Sequence, residues 1–217
     1  MKTDEELKKD VIAELNWNPA IDVAHVSVAV KDGVVALLGH VDSYAAKCAI
    51  ERAVQRVAGI RALAIEIDVR LAAGHQRGDA EIEAAAESAF KWHALIPSEG
   101  VHVKVESGFV TLEGEVEWDF QRVNAEQVVR SLTGVRGLSN NIRLKPRASS
   151  ANITKGIRDA LLRHADSEAK HVEVLLADST VTLQGRVDSW AERMVAQGAA
   201  WSAPGVTRVI NEIRVGS

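Results

Sequence analysis

VTLQGRVDSW (residues 181–190) crowds a glycine, an arginine, an aspartate, a serine and a tryptophan into one short segment, the composition of a small catalytic or ligand loop. Two other stretches of the same chain overturn that reading. VVALLGHVDSY occupies residues 34–44 and VTLEGEVEWD occupies residues 110–119. In all three, apolar residues alternate around one glycine, the pattern of a strand with a buried face. Gly39, Gly114 and Gly185 align, and a second glycine follows each at a common interval: Gly59, Gly134 and Gly205. Leu7, Ile82 and Ile153 precede the first glycine, and Val41, Val116 and Val187 follow it, again in register. The copies are offset by 75 residues (Gly39 to Gly114) and then by 71 (Gly114 to Gly185). A register held over so many positions describes three copies of one unit.

Within a unit the apolar period changes in a set order. Leu7, Val11 and Leu15 recur every four residues, one face of a helix that begins after Thr3, with Glu6 placed to complete a capping box. Val26, Val28 and Val30 then alternate, and KDG at 31–33 separates them from VVALLGHV. That turn recurs as ESG at 106–108 and ADS at 177–179, so a hairpin is expected three times. YAAKCAIERAVQRVAG is helix-periodic and is expected to stop at Gly59 as a left-handed C-cap residue. AIEIDV, matched by NNIRL and NEIRV, closes the unit as a strand. The fold class is α+β: three tandem αββαβ domains, each a three-stranded mixed sheet covered by two helices. LAAGHQRG and KPRASS read as linkers, which sets the domains at 1–73, 74–147 and 148–217. The opening stretch is then a strand-to-helix joint, in which Gly185 allows a bulge or a close backbone approach and Ser189 with Glu192 caps the next helix.

Helix, strand, DG-type turn, VxLxGxV, helix, GV and a closing NxIxV resemble the BON domain, a family named after the osmotically inducible OsmY and a nodulation protein. The matching strings are DGVVALLGHV with GIRALAIEIDV, SGFVTLEGEV with GVRGLSNNIRL, and DSTVTLQGRV with GVTRVINEIRV. The resemblance spans nearly the whole chain. It implies phospholipid or membrane-surface binding, a role in osmotic or envelope stress and, in one branch, potassium sensing. It implies no enzymatic activity. Envelope members of the family carry a secretory or lipoprotein signal, which this sequence does not show.

Composition bounds the rest. The 217 residues are 47% apolar, enough to bury a sizeable core. A formal charge of -4 gives no electrostatic footprint for nucleic acid. MKTDEELKKDVIAEL has no apolar core of a signal peptide, and no long apolar span follows. A cytoplasmic home is therefore expected for the chain as given, and a periplasmic one if native first residues are missing. Cys48, the single cysteine, has no disulfide partner.

No catalytic constellation stands out. His25, His40, His75, His93, His102, His164 and His171 form no HExxH or HxH set, so neither a metal nor another cofactor is expected. Ser43 and Ser189 sit where helix caps belong, without a GxSxG elbow. The aromatics fall at repeat positions: Trp17 and Trp92 at the end of the first helix, Tyr44 and Trp190 at the start of the second. Each is either a rim seal for a small core or an anchor for a lipid interface or protein partner. In ANITKGIRDALLRHA the apolar face holds Ile153, Ile157 and Leu161, while Lys155, Arg158 and Leu162 point away from it and Arg163 adds a further cation. Leu162 is then an apolar residue on a basic face, the best local sign of contact with an anionic phospholipid surface or partner. The expected function is a non-enzymatic, stress-associated binding module acting on phospholipid or an envelope partner. The other class is a soluble sensor of a monovalent cation (potassium) or small ligand whose domains rearrange on binding.

Overall fold

A computed structural model describes residues 2–19, 21–145, 156, 157, 159 and 172–216. In the first unit helix α1 (Asp4–Trp17) precedes strands β1 (Val26–Lys31) and β2 (Val34–Val41), helix α2 (Tyr44–Gln55) and strand β3 (Ala62–Val69). The second repeats this order as α3 (Asp79–Trp92), β4 (Val101–Glu106), β5 (Phe109–Val116), α4 (Asp119–Arg130), then β6 (Gly137–Asn140) and β7 (Arg143–Leu144). The third shows β8 (Val172–Ala177), β9 (Thr180–Val187), α5 (Trp190–Trp201) and β10 (Arg208–Val215), with Gly156, Ile157 and Asp159 helical ahead of them. The chain is thus built of tandem α+β units.

The glycine-bearing strand is central in every sheet. It pairs antiparallel with the strand before it and parallel with the closing strand. A parallel neighbour requires a crossover, and the second helix supplies it. In the second unit β6 and β7 keep one register on β5, with Leu112 opposite Asn140 and Glu115 opposite Arg143. No residue is inserted, so the two pieces are one closing strand, nicked where the Asn140 side-chain oxygen accepts the Ile142 N–H.

Helices cover one face of each sheet. Leu7, Val11 and Leu15 pack with Val35, Leu37, Ile50 and Ile67 in the first core. Ile82, Ala86 and Phe90 take the matching places in the second, and Ile157, at the position of Val11 and Ala86, is buried in the third. Burying each such side chain stabilises the fold by roughly 1.5–3 kcal/mol, and this apolar layer is the main force holding each unit.

Local chemistry sets the joints. Thr3 Oγ1 accepts the Glu6 N–H at 3.2 Å, while the Glu6 carboxylate accepts the Thr3 N–H at 2.8 Å, a complete capping box. At the third unit's joint Ser189 Oγ accepts the Glu192 N–H, but the Glu192 carboxylate takes the Asp188 N–H instead of that of Ser189. The two-residue hairpin turns place Asp32 and Gly33 at φ 51° and 74°, and Ser107 and Gly108 at 53° and 80°, as a turn matching strand twist demands. In the first two units the acidic residue opening the first helix reaches over this turn: Asp4 accepts the N–H groups of Asp32 (2.8 Å) and Gly33 (3.0 Å), and Asp79 those of Ser107 and Gly108 (both 2.8 Å).

Two glycine expectations are refined. The central-strand glycine makes room for backbone: a Cβ on Gly39 would lie 1.9 Å from the His25 carbonyl oxygen, and one on Gly114 2.1 Å from that of Gly100. Gly185 shares their positive φ, at 133°. Gly59, by contrast, is left-handed at 97° but is not the C-cap neighbour of α2. The helix ends at Gln55 with Arg56 as its cap, because Val57 turns inward to close the core and Gly59 then redirects the chain into buried Ile60. Gly134 and Gly205 have similar φ values, 96° and 91°.

The units also touch one another. Tyr44 at the start of α2 packs against both the first and the second core. The Arg122 guanidinium of α4 lies 4.5 Å from the ring centroid of Trp201 in α5. Trp190 at the start of α5 packs against the first core. The second helices thus link the units in the order first to second, second to third and third to first.

Candidate functional site

Trp17 and Trp92 are the last residues of α1 and α3 and stand 86% and 88% exposed. Neither ring is used by a core, although each sits only two residues from a buried residue of its own helix, Leu15 or Phe90. Trp17 borders a shallow surface hollow of about 370 Å³ with Lys2, Asp10, Glu14 and Arg56, where Arg56 donates to the Glu14 carboxylate at 2.7 Å. Near Trp92, His93 caps the helix and its Nδ1 accepts the Leu95 N–H at 3.4 Å.

Tyr44 and Trp190 occupy a different environment. Both are half-buried where units meet, and the Trp190 indole N–H donates to the Ile60 carbonyl at 3.1 Å. Asp119, at the matching position of the second unit, pairs with Arg122. The structure therefore separates the four aromatics into two exposed rings and two rings on domain seams. Lys155, Arg158, Leu162 and Arg163 lie outside the described residues.

Below the seam between α2 and α4, burial pushes the Tyr44 phenol up to about 12. Burial also raises the Cys48 thiol, outweighing the opposing influence of Arg130. A thiol held protonated in an apolar seam is a poor nucleophile. Among the described residues no three His, Cys, Asp or Glu side chains come together in a group able to hold a metal ion. His25 and His40 do stack, ring centroids 4.5 Å apart, beside a cleft of about 670 Å³ bordered by Asp22, Ser43 and Arg70.

Several structural contacts were not read from the sequence. The Asn140 amide donates to the Arg122 carbonyl and the Glu126 carboxylate, and Asn211 repeats this with the Arg193 carbonyl and the Gln197 side chain. Asparagine in the NxI closing string thereby ties the last strand to the second helix. The aligned Asp4 and Asp79 were equally visible as a repeat. The cleft at His25 and His40 had no such signal, because its residues come from three separate segments of the chain.

The geometry of three αββαβ units agrees with comparison to known proteins. The model of the BON domain matches residues 3–70, 78–146 and 149–217. The chain belongs to the BON domain family. Osmotically-inducible protein Y of Escherichia coli (strain K12) is 30% identical to this BON chain over 149 residues, 65% of the chain and 74% of that protein. The C-terminal domain of CdsD, a structural protein of the type III secretion system of Chlamydia trachomatis, aligns over 99% of both chains at 15% identity. Its TM-score of 0.27 is too low to relate the two folds. No helix among the described residues of the BON chain is long and apolar enough to cross a membrane.

Proposed function

We propose that this BON chain is a non-enzymatic, stress-associated module that binds an anionic phospholipid surface or an envelope-associated protein. The observation that carries the reading is the pair of exposed indoles, Trp17 and Trp92, at repeat-equivalent helix ends. An indole with an apolar body and one N–H donor suits the boundary between water and lipid headgroups. Two rings on one chain let a weak contact gain from a second attachment. On sequence grounds Lys155, Arg158, Arg163 and Leu162 add the cations and the apolar residue that an anionic surface attracts. The likeness to an osmotically inducible protein supports the assignment to stress.

Flotation with liposomes containing or lacking phosphatidylglycerol, at low and physiological salt, tests it. Binding is expected to require the anionic lipid, to fade with salt and to be lost in Trp17→Ala with Trp92→Ala and in Lys155→Glu with Arg158→Glu. Full binding by both double variants, or none by the parent chain, overturns the lipid reading.

A second reading rests on a cleft of about 570 Å³ between the first and third units, lined by Lys2, Asp4, Gly33, Arg61, Asp188 and Gly216. A soluble ligand or a monovalent cation such as potassium held there would bias how the two units sit. A ligand confined to the native state raises Tm by mass action. Equal Tm in potassium and sodium chloride at one ionic strength removes potassium from this reading.

A further inference from the structure

The helices leave the opposite face of each sheet open, and the first unit's open face differs from the other two. Its centre consists of Ala29, Val34, Ala36, Leu38, Ala62 and Ala64, set side by side by the strand register. Val34 and Leu38 are each 40% exposed. Ala29, Ala62 and Ala64 are exposed as well. At the matching positions the second unit mixes Phe109 with Lys104, Thr111 and Glu113, and the third mixes Leu175 and Ile210 with Thr182, Gln184 and Arg208. The common fold therefore tolerates polar groups on this face, and only in the first unit are all six of these positions apolar.

Charge confines itself to two corners of that face. Lys31 sits at the turn end of β1, opposite Val34. Glu66 and Asp68 sit at the far end of β3, opposite Leu38 and His40. Neither Lys31 nor Glu66 has an ion-pair partner among the described residues, and Asp68 only approaches Arg70 at 3.9 Å. The positive and negative corners are thus diagonal to one another across an apolar centre. A two-fold axis in the plane of the face, perpendicular to that diagonal, turns Lys31 of one copy onto Glu66 and Asp68 of another. Because such a contact is isologous, the charge pair forms twice.

The geometry points to a second copy of this chain as the occupant of the open face of β1, β2 and β3, docked sheet to sheet in an antiparallel two-fold pair. Alanine methyl groups let the sheets approach at or below the usual ~10 Å spacing. The carboxylates at one corner disfavour an anionic membrane there. Three strands of ~4.8 Å spacing and eight residues of ~3.3 Å rise give a face of roughly 400 Å². This is about half of the ~800 Å² that each partner gives a standard interface, so the pair is weak and depends on concentration.

Sedimentation velocity of the full chain tests this, from about 10 μM to about 1 mM, a range that brackets a weak association. The expected result is a sedimentation coefficient that rises with concentration toward the dimer value. Ala64→Lys, on an exposed site, is expected to hold the chain monomeric at unchanged Tm. Lys31→Glu is expected to weaken association at least ~10-fold, by opposing like charges twice. Lys31→Glu combined with Glu66→Lys and Asp68→Lys is expected to restore it. A monomer throughout, or an Ala64→Lys variant that associates like the parent, overturns the proposal. Loss of association in Ala64→Lys with no response to Lys31→Glu overturns the two-fold arrangement. A monomeric parent whose liposome capture is lost in Ala64→Lys assigns the face to lipid and overturns it too.

Discussion

The indole N–H of Trp190 donates to the carbonyl of Ile60 at 3.1 Å, joining residues 130 positions apart. The same ring packs on the first core, and Tyr44, its counterpart in the first unit, packs on the second. The residue that opens the second helix thus serves as a seam between units. Trp190→Ala is expected to remove about 2–4 kcal/mol, from lost burial and a carbonyl left without its donor. Trp190→Phe, which keeps a ring, is expected to cost about 1 kcal/mol. Calorimetry checks this: Trp190→Ala should separate the melting of the third unit from that of the first. One unchanged cooperative transition would contradict the seam.

Backbone crowding at the central strand gives a second expectation. Gly114→Ala places a methyl 2.1 Å from the Gly100 carbonyl oxygen at a φ of 124°, so backbone must shift and a loss of more than about 3 kcal/mol is expected. Gly198 lies inside α5 with nothing within 4 Å of an added Cβ. Gly198→Ala is therefore expected to stabilise by about 0.5–1 kcal/mol. Urea denaturation of both variants checks the opposite signs.

Asp79 holds two turn N–H groups at 2.8 Å, from a position that opens α3. Asp79→Ala is expected to cost about 1–3 kcal/mol, since both N–H groups lose an anionic acceptor near a helix start. Hydrogen exchange should accelerate at Ser107 and Gly108 ahead of the rest of the second unit. Unchanged protection there would show that the turn holds without the clamp.

Tyr44 is the chain's single tyrosine, so phenolate absorbance reports it alone. Burial raises its pKa to about 12 from an ordinary value of 10.0. A raised folded-state value means that its stabilising contribution is complete below pH 10.0 and is lost as pH climbs through about 12. Alkaline titration of the native chain is expected to show a delayed absorbance rise accompanied by loosening of the seam between the first and second units. Tyr44→Phe should flatten the stability change in that window. A phenol that titrates at its ordinary value in the folded chain would place Tyr44 in solvent.

Much of the unit was legible in the sequence. Leu7, Val11 and Leu15 marked a helix face because burial on one side of a helix repeats nearly every four residues, and all three are buried. KDG and ESG marked hairpins because left-handed turn positions favour glycine and its polar neighbours. Helix α2 ends a few residues before the Gly59 that the sequence marks, since Val57 closes the core before Gly59 is reached and neither residue alone announces that order.

The candidate site was less legible. Trp17 and Trp190 are the same residue type at helix ends, yet one is exposed and the other is half-buried. The contrast between Ala36 and its counterparts Thr111 and Thr182 was present in the aligned copies, but its meaning required knowing which side of the sheet the helices cover.

By itself the sequence determined the threefold repeat, the order of elements and the glycines at close approaches, because these follow from periodicity and backbone sterics within a few residues. Only the tertiary structure decided which tryptophans remain on the surface, which helix starts become seams and which sheet face stays bare. Those outcomes depend on what another unit lays over a side chain, a relation between distant segments that no local spacing encodes.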